Sequence, residues 1–147
     1  MDNIPLSRKV PKIILLIVTS LVGLFAAFFV AVEVLNILSN NYLLFLHPFN
    51  GLLRYVSRGV AFLFIFLTSF LVVINIFKST PVKTRVLSVA LIGNFIISFS
   101  FVAYLDFFVF LIFNILLAVS LILHYYIYWY IPNKKAIKKL LTKNNNQ

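Results

Sequence analysis

The chain has 147 residues, a net charge of +10, 63% hydrophobic residues and only 11% charged ones. Soluble domains carry roughly 25% charged residues, and a soluble fold of this length has too little interior to hide so much Phe, Leu, Ile and Val. That excludes a soluble globular domain, and the absence of Cys excludes disulfides, thiolate metal sites and Cys nucleophiles.

Residues 1–12 form a basic N-terminus carrying Arg8, Lys9 and Lys12. An apolar run over 13–38 follows. It is far longer than the core of a signal peptide, roughly 7–15 residues, so it reads as a first membrane span. Within it Thr19, Gly23, Ala27 and Ala31 recur every four residues. Small residues let helix backbones approach closely in lipid, so this stripe predicts a packing seam, against another span or a second copy. Glu33 falls late in the run, near the interface, at a depth where snorkelling is expected to suffice.

The segment 39–55 is semi-apolar. Pro48 and Asn50-Gly51 mark a turn, and Leu43 to Leu46 are expected to rest on the membrane surface. Its conformation is otherwise open. Arg54 and Arg58 lie one helical turn apart, on the same side as Glu33, which predicts an ion pair between Glu33 and one of them.

The second span reads as 56–77, with Ser57, Ala61, Thr68 and Asn75 near one face. The basic connection after it carries Lys78, Lys83 and Arg85. The 45 apolar residues from 86 to 130 are too long for a single span of ~20 residues and must fold back on themselves. Asp106 is the only charge within them, so the turn is placed around 104–107, giving spans at 86–104 and 107–130. Asp106 is expected to cap or end a helix there. Ala90, Asn94 and Ser98 share one face of the third span, and Asn114 and Ala118 one face of the fourth. Together with Thr68 and Asn75, these predict an interior polar set joined by interhelical hydrogen bonds, or a polar path for a solute. His124 reads as a neutral hydrogen-bonding group.

The tail, 132–147, is basic. Tyr125, Tyr126, Tyr128, Trp129 and Tyr130 precede it, and amphipathic rings favour the headgroup level. Lys134, Lys135, Lys138 and Lys139 alternate with Ala136, Ile137, Leu140 and Leu141, the pattern of an interfacial helix. With Trp129, these lysines are expected to contact anionic headgroups, each Lys contributing about 1 kcal/mol near such a surface.

Eleven Lys and Arg residues fall on one side of this topology and two on the other. The positive-inside rule places both termini in the cytoplasm. The expected fold is an all-α, integral membrane four-helix bundle, left-handed, over residues 13–131. Its partners are the bilayer, anionic lipids and another membrane protein or a further copy of itself, not nucleic acid.

No HExxH helix, GxSxG elbow or glycine-rich phosphate loop occurs, and no two intramembrane acids face each other for acid–base chemistry. An enzyme is not expected, nor a cofactor or metal. Three functions fit these features. The first is a non-enzymatic accessory, assembly or trafficking component. The second is a small transporter or channel component with a path along Asn75, Asn94 and Asn114. The third is a bacterial immunity protein against a membrane-active toxin.

Four features suggest a family. They are Ile4-Pro5 with Val10-Pro11-Lys12-Ile13 at the start, Phe77-Lys78-Ser79-Thr80-Pro81 closing span two, Ile131-Pro132 closing span four, and the very short third connection. In these the chain resembles the small four-span COPI-associated membrane proteins of the Golgi, over nearly its whole length. It differs in having only Gly93 in span three and a basic tail where that family has an acidic one. The resemblance implies a Golgi or vesicle protein with a trafficking or structural role and no catalysis. In a bacterium the same layout implies the plasma membrane.

Overall fold

A computed structural model of the chain describes the backbone over residues 6–39, 48–102 and 104–134, and the side chains over 9–39, 54–102 and 104–134. Four helices account for nearly all of it: α1 (Leu6–Ser39), α2 (Pro48–Phe77), α3 (Pro81–Ser98) and α4 (Phe107–Tyr125). A 3₁₀ turn (Phe99–Phe101) extends α3, and a π-helical turn (Tyr126–Tyr130) extends α4. Each assembly is long and apolar enough to cross a membrane.

The outward faces say what surrounds the bundle. Leu24 is 69% exposed, Phe28 63%, Phe77 76% and Phe108 71%. Rings and branched chains on every helix point away from the core, as they do where hydrocarbon is the solvent. The chain is a multi-pass integral membrane four-helix bundle.

The helices meet in ring order, α1 on α2, α2 on α3, α3 on α4 and α4 back on α1, with α1 against α2 the most extensive packing. Two apolar clusters fill the interior. Phe62, Phe101, Phe113, Val22, Ala26 and Ile65 occupy the half nearer the α3–α4 turn. Leu15, Val72, Ile76, Leu87, Leu91 and Ile127 occupy the other half.

The buried residues of α1 correct the predicted seam. They are Leu15, Thr19, Val22, Gly23, Ala26 and Glu33, whereas Ala27 is half-buried and Ala31 is exposed. Four residues overshoot a full turn by about 40° at 3.6 residues per turn. The stripe Thr19, Gly23, Ala27, Ala31 therefore winds off the interface, while steps averaging 3.6 residues stay on it.

Three boundaries also differ from expectation. The backbone is already helical at Pro48, so Pro48 and Asn50-Gly51 open α2 and form no turn. Proline suits the first helical position because its missing N–H has no partner there anyway. Helix α3 begins at Pro81, five residues before the predicted span. The Thr80 side chain accepts from the Lys83 N–H, and Pro81 takes the first position. At the other end the α-helix stops at Ser98, and the connection runs through the 3₁₀ turn to Asp106. There the carboxylate accepts from the Phe108 N–H at 3.0 Å and caps α4.

Leu43 to Leu46, the proposed interfacial helix of the tail, and Lys135, Lys138 and Lys139 lie outside the described residues.

Candidate functional site: a polar column and its two mouths

The fold gives the bundle two chemically distinct ends. Lys9, Lys12, Lys78, Lys83, Arg85 and Lys134 lie at one, the basic end. Glu33, Arg54, Arg58 and Asp106 lie at the other. Polar side chains run between them through the interior.

At the basic end the polar groups come from three helices. The Asn75 Nδ2 donates to Thr84 Oγ1 at 3.3 Å, and the Tyr128 hydroxyl donates to the Asn75 carbonyl at 3.2 Å. One turn along α3, Ser88 donates its only proton to the Thr84 carbonyl at 2.9 Å. Its lone pairs then accept from Trp129 Nε1 at 3.2 Å and from His124 Nδ1 at 3.3 Å. That bookkeeping assigns the proton of a neutral His124 to Nδ1. The other ring nitrogen, Nε2, is buried with no hydrogen-bond partner.

The π-helical turn is what brings two of these rings inward. The Ile131 N–H donates to the Tyr126 carbonyl five residues back. The extra residue per turn rotates Tyr128 and Trp129 relative to a regular helix, and such bulges are frequent at functional sites. Trp129 was expected at the headgroups. It is half-buried, and its N–H points at Ser88. Lys134 is exposed, with its ammonium 5.9 Å from the Tyr130 ring centre.

Further into the bundle, Thr19 and Ser120 join α1 to α4, oxygen to oxygen at 3.1 Å. Thr68 and Ser69 are buried but bond to their own helix, donating to the carbonyls of Phe64 and Ile65. Gly23 is packed so close to α2 that a Cβ there would lie 3.3 Å from Ser69 Cβ. Asn94 is fully buried, and neither amide atom has a partner among the described residues. Ser98 Oγ lies 2.5 Å from Asn114 Oδ1 and 2.6 Å from the Phe95 carbonyl, so a single proton serves both. Asn114 Nδ2 donates to the Phe110 carbonyl.

At the far end Glu33 is 0% exposed, which corrects its expected snorkelling. Gly59 on α2 leaves room for it: a Cβ at Gly59 would meet Glu33 Cβ at 3.7 Å. Arg58 Nη1 lies 3.7 Å from Glu33 Oε1. The Arg58 guanidinium also sits over the Tyr104 ring, 4.1 Å from its centre. Burial, and then the Glu33 carboxylate, pushes the Tyr104 hydroxyl above its ordinary value. Arg54 makes no ion pair among the described residues and is exposed. Ser57, placed on the polar face of α2, is exposed as well.

Thus Thr68, Asn75, Asn94, Ser98 and Asn114 are all buried, but only the Ser98–Asn114 bond joins two of them. Asn75 instead pairs with Thr84, which the hydropathy pattern puts in the basic connection before span three. Thr84 and Ser88 belong to the same α3 stripe as Asn94 and Ser98. That stripe becomes visible once Thr80-Pro81 is recognised as a helix start.

Two cavities open at the ends. One of about 320 Å³ at the basic end is lined by Thr80, Thr84, Arg85, Tyr128, Trp129 and Asn133, among others. One of about 430 Å³ at the opposite end is lined by Arg54, Ser57, Arg58, Ser100, Phe101 and Tyr104.

Compared with protein-family models, curated proteins and solved structures, the chain matches none. The likeness to the COPI-associated proteins therefore stands on its sequence features alone.

Proposed function

We propose that the chain is a non-enzymatic accessory, assembly or trafficking component of a membrane, with its basic end in the cytoplasm. The observation that carries this reading is the filled interior. The Phe62 and Phe101 rings stack 4.1 Å apart, Phe29 stacks on Phe62 at 4.9 Å, and Phe113 packs beside them. Leu15, Val72 and Leu91 fill the other half. With the middle closed by side chains, recognition falls to the lipid-facing surface and the two ends.

Capture from native membranes in mild detergent tests it. The expected result is recovery with another membrane protein or as an oligomer of this chain. Recovery alone, as a monomer, overturns it. Labelling of both termini tests the orientation, which fails if they lie on opposite faces.

A second reading is a small transporter or channel component. It draws support from Asn75 Oδ1 and both amide atoms of Asn94, which are buried without partners among the described residues. Unpaired amides away from water cost about 2–7 kcal/mol, and a passing polar solute would relieve that cost. Proteoliposome flux that Asn94→Leu abolishes would favour this reading over the first.

A further inference from the structure

The cavity at the basic end combines features that the accessory role does not use. Arg85 lines it from the first turns of α3. No carboxylate lies within ion-pair distance of Arg85 among the described residues. The two described acids, Glu33 and Asp106, are at the opposite end of the bundle. The cations Lys78, Lys83 and Lys134 are exposed around the same end. Arg85 is itself exposed, and an uncompensated guanidinium at the mouth of a cavity, with cations around it, is a place for an anion.

The other lining groups narrow the class of anion. Asn133 and Thr80 add polar groups, and Trp129 and Tyr128 add aromatic side chains. Both rings come from the π-helical turn. Their polar atoms are held from behind, Trp129 Nε1 by Ser88 and the Tyr128 hydroxyl by the Asn75 carbonyl. The rings are thereby fixed, and the cavity combines polar groups with aromatic side chains at the depth where a span ends. A phosphate linked to an apolar body meets both. Guanidinium groups suit phosphate because their fork of donors matches its oxygens.

We propose that this cavity binds the phosphate of an anionic phospholipid, with Arg85 as the principal charge contact and the Trp129 ring against the glycerol and upper acyl chains. Exposed lysines elsewhere at this end attract anionic lipid without selecting a position. The cavity selects one lipid and holds it against α3 and α4.

Trp129 is the chain's single tryptophan, so its emission reports on this cavity and nothing else. The full chain in neutral detergent is titrated with short-chain phosphatidylglycerol, short-chain phosphatidylcholine and inorganic phosphate. Phosphatidylglycerol is expected to shift the Trp129 emission and saturate at equimolar lipid, with no saturable response to phosphatidylcholine. Arg85→Gln should weaken binding about tenfold, in line with loss of a charged hydrogen bond, Lys134→Gln by no more than about fivefold, the worth of one lysine near an anionic surface, and Arg54→Gln, an exposed charge at the opposite end of the bundle, not at all. Equal responses to the two lipids overturn the proposal, and that comparison needs no variant. Binding unaffected by Arg85→Gln overturns it too. A saturable response to inorganic phosphate with none to phosphatidylglycerol overturns the lipid as the source of the phosphate.

Discussion

Glu33 on α1 and Arg58 on α2 face each other at 3.7 Å, but they are unequally hidden: the Glu33 side chain is 1% exposed and that of Arg58 18%. Removing one partner of a buried pair is costly because the remaining charge stays buried and uncompensated, typically about 3–5 kcal/mol. The cost should therefore depend on which partner is removed. Arg58→Gln strands the fully buried carboxylate and should destabilise by about 3 kcal/mol. Glu33→Gln leaves a guanidinium that can reach the rim and still lies over Tyr104, so about 1 kcal/mol is expected. Thermal unfolding in detergent measures both. The exchange Glu33→Arg with Arg58→Glu should recover part of the loss of either single change. Equal costs for the two Gln variants would mean that the pair is solvated.

Tyr104 ties this pair to pH. Its hydroxyl loses a proton less readily in the fold than its ordinary value of 10.0, because burial and then the neighbouring carboxylate oppose a second negative charge. The unfolded chain therefore releases this proton first as pH rises. The contribution to stability is complete below about pH 10 and is lost as pH climbs through the higher folded-state value. The native protein should lose stability above pH 10 more steeply than Tyr104→Phe, read as unfolding temperature against pH. Parallel curves would remove Tyr104 from the account.

Gly23 on α1 and Gly93 on α3 should respond in opposite ways to alanine. A Cβ at Gly23 would lie 3.3 Å from Ser69 Cβ, whereas one at Gly93 meets nothing within 4 Å. Ser69 Cβ is anchored to the α2 backbone, so α1 and α2 must separate slightly to admit it. Gly23→Ala should cost about 1 kcal/mol, and Gly23→Leu considerably more. Gly93→Ala should stabilise by about 0.5–1 kcal/mol, since glycine weakens a helix interior. Unfolding measurements on the three variants decide it. A stabilising Gly23→Ala would show that the close approach is not needed.

What could be read from the sequence, and what could not, follows from how each signal is carried. Hydropathy locates the four spans because membrane thickness imposes a minimum apolar length. It misplaces the start of α3 because Lys83 and Arg85 read as loop, although Thr80-Pro81 carries the capping and first-position signals of a helix start. The inward placement of Asn75, Asn94 and Asn114 follows from helical spacing. Their partners do not, since pairing depends on the rotation of one helix against another. The depth of Glu33 escaped because the helix runs on to Ser39 and Gly59 opens space on the facing helix. The π-helical turn has no sequence signature, as the same five aromatic-rich residues would read equally well as regular helix.

Asn94 and Asn114 are chemically alike, both buried, and differ in satisfaction, so leucine at each should have opposite effects. Asn94 holds two buried amide atoms with no partner among the described residues. Asn94→Leu removes an unpaired polar group and keeps the branching of the side chain, though its methyls are bulkier than the amide, so a net gain of about 1 kcal/mol is expected. Asn114 accepts from Ser98 and donates to the Phe110 carbonyl. Asn114→Leu takes away Ser98's partner on the neighbouring helix and should cost about 1 kcal/mol, in line with interhelical hydrogen bonds in lipid. Unfolding of the two variants in the same detergent reads both signs at once. If Asn94→Leu destabilises instead, Asn94 has a partner in the membrane, such as an ordered water or a solute. A solute or water held at Asn94 is what the transporter reading requires.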